Sequence, residues 1–193
     1  MYKRQLSSLD AKLRESLRVE LKKIQLNLGS TILYVTHDQA EATTMADRIG
    51  VLENGKIAQI GIPEEIYNNP ISIYVANRLG SPKINILNSA ILNTSSPDKT
   101  SQLGLRPEHI KIGEGELSGS IKTVESLGAE TVVELDFNGA ELLSLYQGIF
   151  LGQRGDKVNF AIDPNKILFF DEKGISAVSY THLRAHDTKA KLV

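Results

Sequence analysis

The feature that most restricts how this chain folds is a change of sequence texture at Gly80. Before it, apolar residues follow helical spacing or gather in one short β-branched run; after it, they fall into brief β-like runs separated by Gly, Pro and Asn. Leu13, Leu17, Leu21, Ile24 and Leu28 recur every three or four positions with charged residues between them, which predicts an amphipathic helix over 10–28. Asp10 is its expected N-cap and Gly29 its left-handed C-cap.

Residues 31–36, Thr-Ile-Leu-Tyr-Val-Thr, are too few for a helix and rich in β-branched side chains, so they read as a buried strand. Asp38 opens the next helix, with Glu41 three residues on as the second half of a capping box. Gln39 and Glu41 are read as helix-capping residues rather than catalysts. Asn54-Gly55 joins two strand-like segments, 48–53 and 56–60, by the dipeptide that accepts the positive φ angles of a tight hairpin. Pro63 stands at the first position of a short helix, and 72–79 is expected to form another. This order predicts an α/β fold.

Past the boundary, placed at 80–83, eight runs read as strands: 84–92, 103–105, 109–112, 121–127, 131–137, 142–146, 157–162 and 167–170. Many short strands at this spacing make a small sandwich or barrel, with 93–101 as a polar loop.

A formal net charge of -1 removes the broad field expected of a nucleic-acid or anionic-membrane binder, and the lack of cysteine excludes disulfides and Cys-ligated zinc. No run approaches the roughly 18 apolar residues that span a bilayer, and no signal pattern opens the chain.

Ser7-Ser8-Leu9-Asp10, the helix, Tyr34-Val35-Thr36 and His37-Asp38-Gln39-Ala40-Glu41 form one ordered constellation. It resembles the second half of an ABC ATPase domain of the maltose-importer type, and the likeness continues through Met45 to Ile49, Leu52 to Ile57 and Gly61 to Tyr67. The resemblance implies that Ser7, Ser8, Leu9 and Asp10 are the D-loop, which meets a partner subunit across the nucleotide. It also implies that His37 is the catalytic switch histidine. Physically, a histidine at the carboxyl end of a buried strand points into the crevice where α/β sheets bind ligands, and imidazole can donate to a phosphate oxygen.

No Gly-x-x-x-x-Gly-Lys-[Ser/Thr] loop occurs in the sequence, nor the family's signature motif. Counting back from Asp10 puts Lys3 and Arg4 where the family has its Mg²⁺-binding Asp and catalytic Glu, and two cations cannot hold magnesium. ATP and Mg²⁺ are the cofactors implied for the intact protein; none is expected for this chain alone, which should be inactive. Residues 1–5 and 178–193 are expected to be non-native sequence. His182 and His186 have the spacing of a helical metal pair, but two ligands seldom make a site, and no metal site is expected.

Leu103-Gly-Leu-Arg106-Pro107-Glu108-His109-Ile110 resembles the hallmark of the β-rich regulatory domain appended to this ATPase subfamily, which implies an OB-like barrel over 81–175. Arg106, Glu108 and His109 read equally as ligand contacts or as a polar turn network. Residues 80–87 are similar to the junction in carbohydrate-importing members. The implied architecture is thus a partial α/β ABC ATPase domain, 6–80, followed by an all-β OB-like regulatory domain. The implied partners are a second ATPase subunit, transmembrane permease subunits and a regulatory protein, with no nucleic acid, at the cytoplasmic face of the plasma membrane. Two alternatives stay open: a non-catalytic OB-like binding or dimerisation module, and an importer of polyamine, iron or another solute.

Overall fold

The computed structural model describes residues 3–92, 97 and 100–177, with side chains described at position 13 and from 16 onward. The chain divides into two units, Met1–Glu65 and Ile66–Val193. His182 and His186, and most of the 93–101 loop, lie outside the described residues.

In the first unit, helix α1 runs Lys3–Leu28 and ends at Gly29 in the left-handed conformation (φ 58°), as its sequence predicts. Its start differs: Asp10 lies inside the helix and is not its N-cap. Nothing between Lys3 and Asp10 breaks a helix, since serine costs only a few tenths of a kcal/mol, roughly, relative to alanine. The expected apolar stripe is present but uncovered, with Leu13, Leu17 and Ile24 each about half exposed.

The expected buried strand at 31–36 does not form. Leu33 and Val35 are 92% and 87% exposed. A strand is stable only with a neighbour to take its backbone hydrogen bonds, and among the described residues none pairs with this run. The unit's sheet is the antiparallel hairpin β1 (Ile49–Glu53) and β2 (Lys56–Gly61), turned at Asn54 (φ 49°) and Gly55 (φ 74°). The α/β layering expected of residues 6–80 is therefore absent among the described residues. Helix α2 (Gln39–Met45) does start as predicted behind Asp38, which has extended backbone angles and caps with its side chain.

Helix α3 (Pro63–Asn68) begins on its proline. In the second unit, α4 (Ile73–Ala76) is shorter than the predicted 72–79 and is capped by Ser72, whose hydroxyl accepts from Val75 N–H at 3.3 Å. The β elements follow as two antiparallel sheets. One has the order β3-β4-β9, from β3 (Asn85–Asn88), β4 (Gln102–Leu105) and β9 (Leu168–Phe170). The other has the order β7-β6-β5-β8, from β5 (Ile110–Ser126), β6 (Glu130–Phe137), β7 (Ala140–Gln147) and β8 (Lys157–Ile162).

Strict alternation along β6 sends Thr131, Val133, Leu135 and Phe137 inward, the period-two pattern of a half-buried strand. Val133, Leu135 and Phe137 join Leu103, Leu105, Ile110, Ile121, Leu142 and Phe160 in one core, where the Phe137 and Phe160 rings meet edge-to-face at 5.1 Å. The two runs predicted at 109–112 and 121–127 belong to one strand, β5. Ile112 and Leu117 both register with Phe160, so residues 113–116 loop out and pairing with β8 resumes beyond them.

Asn85 links the two sheets. Its amide nitrogen donates to Leu105 C=O (3.0 Å) and Leu143 C=O (2.9 Å), while its oxygen accepts from Leu143 N–H (2.7 Å). A side-chain amide thus reproduces a peptide group between β3 and β7 and ties together the two sheets of this OB-like unit.

Candidate functional site

Two groups of predicted residues are fixed by dense polar networks, one in each unit. Around His37, the hydroxyl of Thr36 accepts from Asp38 N–H at 3.0 Å and donates to Glu41 Oε2 at 2.5 Å. Tyr34 OH donates to the same carboxylate oxygen at 3.2 Å, and Arg18 Nε lies 3.6 Å from the other. Asp38 Oδ1 accepts from Ala40 N–H (2.8 Å) and Glu41 N–H (3.1 Å). The backbone hydrogen bond from Glu41 is the main reason the Asp38 carboxyl sits below its ordinary pKa, and the bond to Glu41 is the main reason the Tyr34 phenol sits above its own.

The capping box therefore closes differently from its sequence signature. Glu41 was expected to take the Asp38 amide, but Thr36 takes it, and the Glu41 carboxylate, 8% exposed as a residue, turns to Tyr34, Thr36 and Arg18. The cap itself is Asp38, with Gln39 the first helical residue. His37, in the middle of this turn, is exposed. The backbone of Ser7, Ser8, Leu9 and Asp10 belongs to α1; their side chains lie outside the described residues.

In the second unit, Arg106 is 2% exposed, and its guanidinium stacks 3.8 Å from the centre of the Tyr67 ring. Nη1 donates to Ala76 C=O (3.0 Å) and Leu79 C=O (2.5 Å), and Nη2 to Tyr67 C=O (2.9 Å). The Tyr67 and Ala76 carbonyls lie in the last turns of α3 and α4, where intrahelical donors run out, so the arginine, just past the end of β4, acts as a C-cap supplied from a distant segment. Tyr67 OH donates to Glu108 Oε1. Pro107 and Glu108 form a 3₁₀ turn, Pro107–His109, whose His109 N–H returns to Arg106 C=O at 3.0 Å.

Burial lowers the Arg106 pKa, though a guanidinium remains charged. Burial first, and then the Glu108 bond, raises the Tyr67 phenol. Burial also holds His109 below the usual imidazole range, and its Nδ1 has no hydrogen-bond partner among the described residues. A cavity of about 490 Å³ opens beside this cluster, bounded in part by Tyr67, Arg106, His109, Lys166 and Phe169, and it includes no residue of the His37 turn. Sequence reasoning marked Arg106 to His109 but missed Tyr67 and Asn85; for Asn85 the available signal was a polar residue inside the apolar run 84–87.

Residues 103–170 match the TOBE domain family, so the second unit contains a TOBE domain. The chain is similar to the sulfoquinovosyl glycerol transport ATP-binding protein of Agrobacterium fabrum, 36% identical over 190 residues, covering 86% of this chain and 53% of the relative. An sn-glycerol-3-phosphate import ATP-binding protein of Psychromonas ingrahamii is 39% identical over 190 residues (86% and 51%). The trehalose/maltose import ATP-binding protein of Thermococcus litoralis is 35% identical over 199 residues (86% and 54%). The chain belongs to the ABC-importer ATP-binding subunits of the maltose and carbohydrate-importer type. It spans about half the length of the curated relatives it matches.

Proposed function

We propose that this sequence forms part of the ATP-hydrolysing subunit of an ABC importer for a carbohydrate or a related polyol phosphate. The observation that carries the reading is the His37 turn: an exposed imidazole on a backbone fixed from both sides, in a chain of this family. In this reading His37 contacts the terminal phosphate of ATP, and Ser7, Ser8, Leu9 and Asp10 are the D-loop facing a second subunit. The uncovered stripe of α1 and the exposed apolar run at 32–35 are the surfaces that the remainder of an α/β ATPase domain would bury, with 31–36 as an inner strand.

An exposed imidazole fits a phosphate oxygen. Among the described residues no group of three or more His, Cys, Asp or Glu side chains is gathered as a metal site. The 193-residue chain by itself is not expected to hydrolyse ATP. The domain after residue 80 is read as regulatory, with Arg106 to His109 anchoring it. Among the described residues no helix is long and apolar enough to cross a membrane, and the reading assigns membrane attachment to permease subunits at the cytoplasmic face.

The test is the DNA upstream of the Leu6 codon, followed by assay of the reading frame it completes. A phosphate-binding loop, a signature motif and a paired Asp-Glu before Leu6 are expected, and His37→Ala in the completed protein should abolish hydrolysis while leaving ATP binding near wild type. Absence of that loop, or full hydrolysis by His37→Ala, would overturn the reading.

A further inference from the structure

We propose that Thr36 and Glu41 are positioning residues for His37, acting as a lock that fixes its main chain while leaving the imidazole free. The proposal rests on the reading of His37 as a phosphate contact, which it deepens. Bonds reach the turn from both sides: Thr36 precedes His37 and holds the amide of Asp38, which follows it. Thr36 then donates at 2.5 Å to Glu41, in the first turn of α2, and Tyr34 adds a second donor to the same oxygen. Asp38 closes the other side by accepting two amides of the helix start. His37 contributes no side-chain bond to any of this, and is exposed while Glu41 is 8% exposed.

The chemistry explains the residue types. A hydroxyl both accepts and donates, so Thr36 can take the Asp38 amide and still hand its own proton to a carboxylate; valine has the same shape and can do neither. Charge-assisted bonds to Glu41 are roughly twice as strong as neutral ones, and the burial of Glu41 reduces competition from water. An imidazole that must meet a phosphate oxygen within hydrogen-bond reach gains from such preorganisation, because the turn need not be ordered when ligand arrives.

The lock is read by ¹⁵N relaxation on the 193-residue chain. The amides of residues 36–38 should give order parameters near about 0.85 in wild type and fall below about 0.6 in Thr36→Val and Glu41→Ala. Thr36→Ser, which restores the hydroxyl, should return them to wild-type values, and His37→Ala should leave residues 36 and 38 unchanged. Amides of residues 43–45 in α2 serve as the control for folding and should stay ordered in every variant. Wild-type order at 36–38 in Thr36→Val, or a loss that spreads equally through 43–45, would overturn the lock. Should the lock respond as expected while His37→Ala hydrolyses ATP normally in the completed protein, the phosphate reading fails and the positioning of the turn stands.

Discussion

Arg106 and Tyr67 are joined twice: the guanidinium lies 3.8 Å from the centre of the tyrosine ring, and its Nη2 donates to the carbonyl of the same residue at 2.9 Å. The second nitrogen, Nη1, reaches Ala76 and Leu79, so one side chain satisfies carbonyls from both short helical turns that precede the barrel.

Replacing Arg106 by leucine keeps much of the volume and removes every donor. Leaving buried carbonyls unmet costs about 1 to 3 kcal/mol each, moderated where water enters, so a total loss of about 3 kcal/mol is expected. Arg106→Lys should recover less than half, because an ammonium cannot present two forked nitrogens and a stacking plane together. Urea unfolding followed by far-ultraviolet circular dichroism measures both, and a leucine variant within about 0.5 kcal/mol of wild type would contradict the clamp.

The Asn85 amide makes the contacts of a missing peptide group between β3 and β7. Asn85→Asp retains the acceptor for Leu143 N–H but turns a carboxylate toward the carbonyls of Leu105 and Leu143. That repulsion adds to two lost donor bonds, so the aspartate variant is expected to be at least as unstable as Asn85→Ala, each losing about 2 to 3 kcal/mol by the same urea measurement. An aspartate variant clearly more stable than the alanine one would show that the bridge does not hold the two sheets together.

Local chemistry made much of this fold legible. The Asn54-Gly55 hairpin, the Asp38 cap and the alternation of β6 were readable because each depends on residues within a few positions of one another. The run at 31–36 shows the limit: its β preference is real, but whether it becomes a strand depends on neighbours that periodicity cannot report. Arg106 stood out as a motif, yet its partners lie 27 to 39 residues away, and its capping role could not be read from the motif alone. Thr36 is similar on a smaller scale, since its hydroxyl displaced the Glu41 carboxylate from the capping role that spacing suggested.

Gly104 faces a crowded core. A Cβ there would lie 2.8 Å from Phe170 Cε2, 2.9 Å from Ile84 Cδ1 and 3.3 Å from Leu168 Cβ, so at least two packed side chains would have to move. Gly104→Ala is expected to destabilise by about 1 to 3 kcal/mol despite the better strand propensity of alanine, because overpacking a filled core forces side chains off their rotamers. Thermal unfolding measures the effect, and an unchanged or raised midpoint would show that this part of the barrel yields easily.

His109 gives the β unit a dependence on pH whose sign follows from its burial. Burial opposes the charged imidazole most; Glu108 and Asp163 pull the other way, while Lys166 and Arg106 add to the opposition. The folded-state pKa is therefore depressed, and the unfolded chain takes up a proton first. Stability is fully present above the unfolded imidazole pKa of about 6.5 and declines as pH falls below it toward the lower folded value. Urea midpoints measured from pH 7.5 to pH 5 should fall in wild type, and fall less in His109→Gln, which cannot titrate. Carboxylates elsewhere titrate in both proteins, so the difference between the two profiles isolates the histidine. If the profiles coincide across that interval, burial of His109 has no energetic consequence and its role beside the Arg106 clamp is steric.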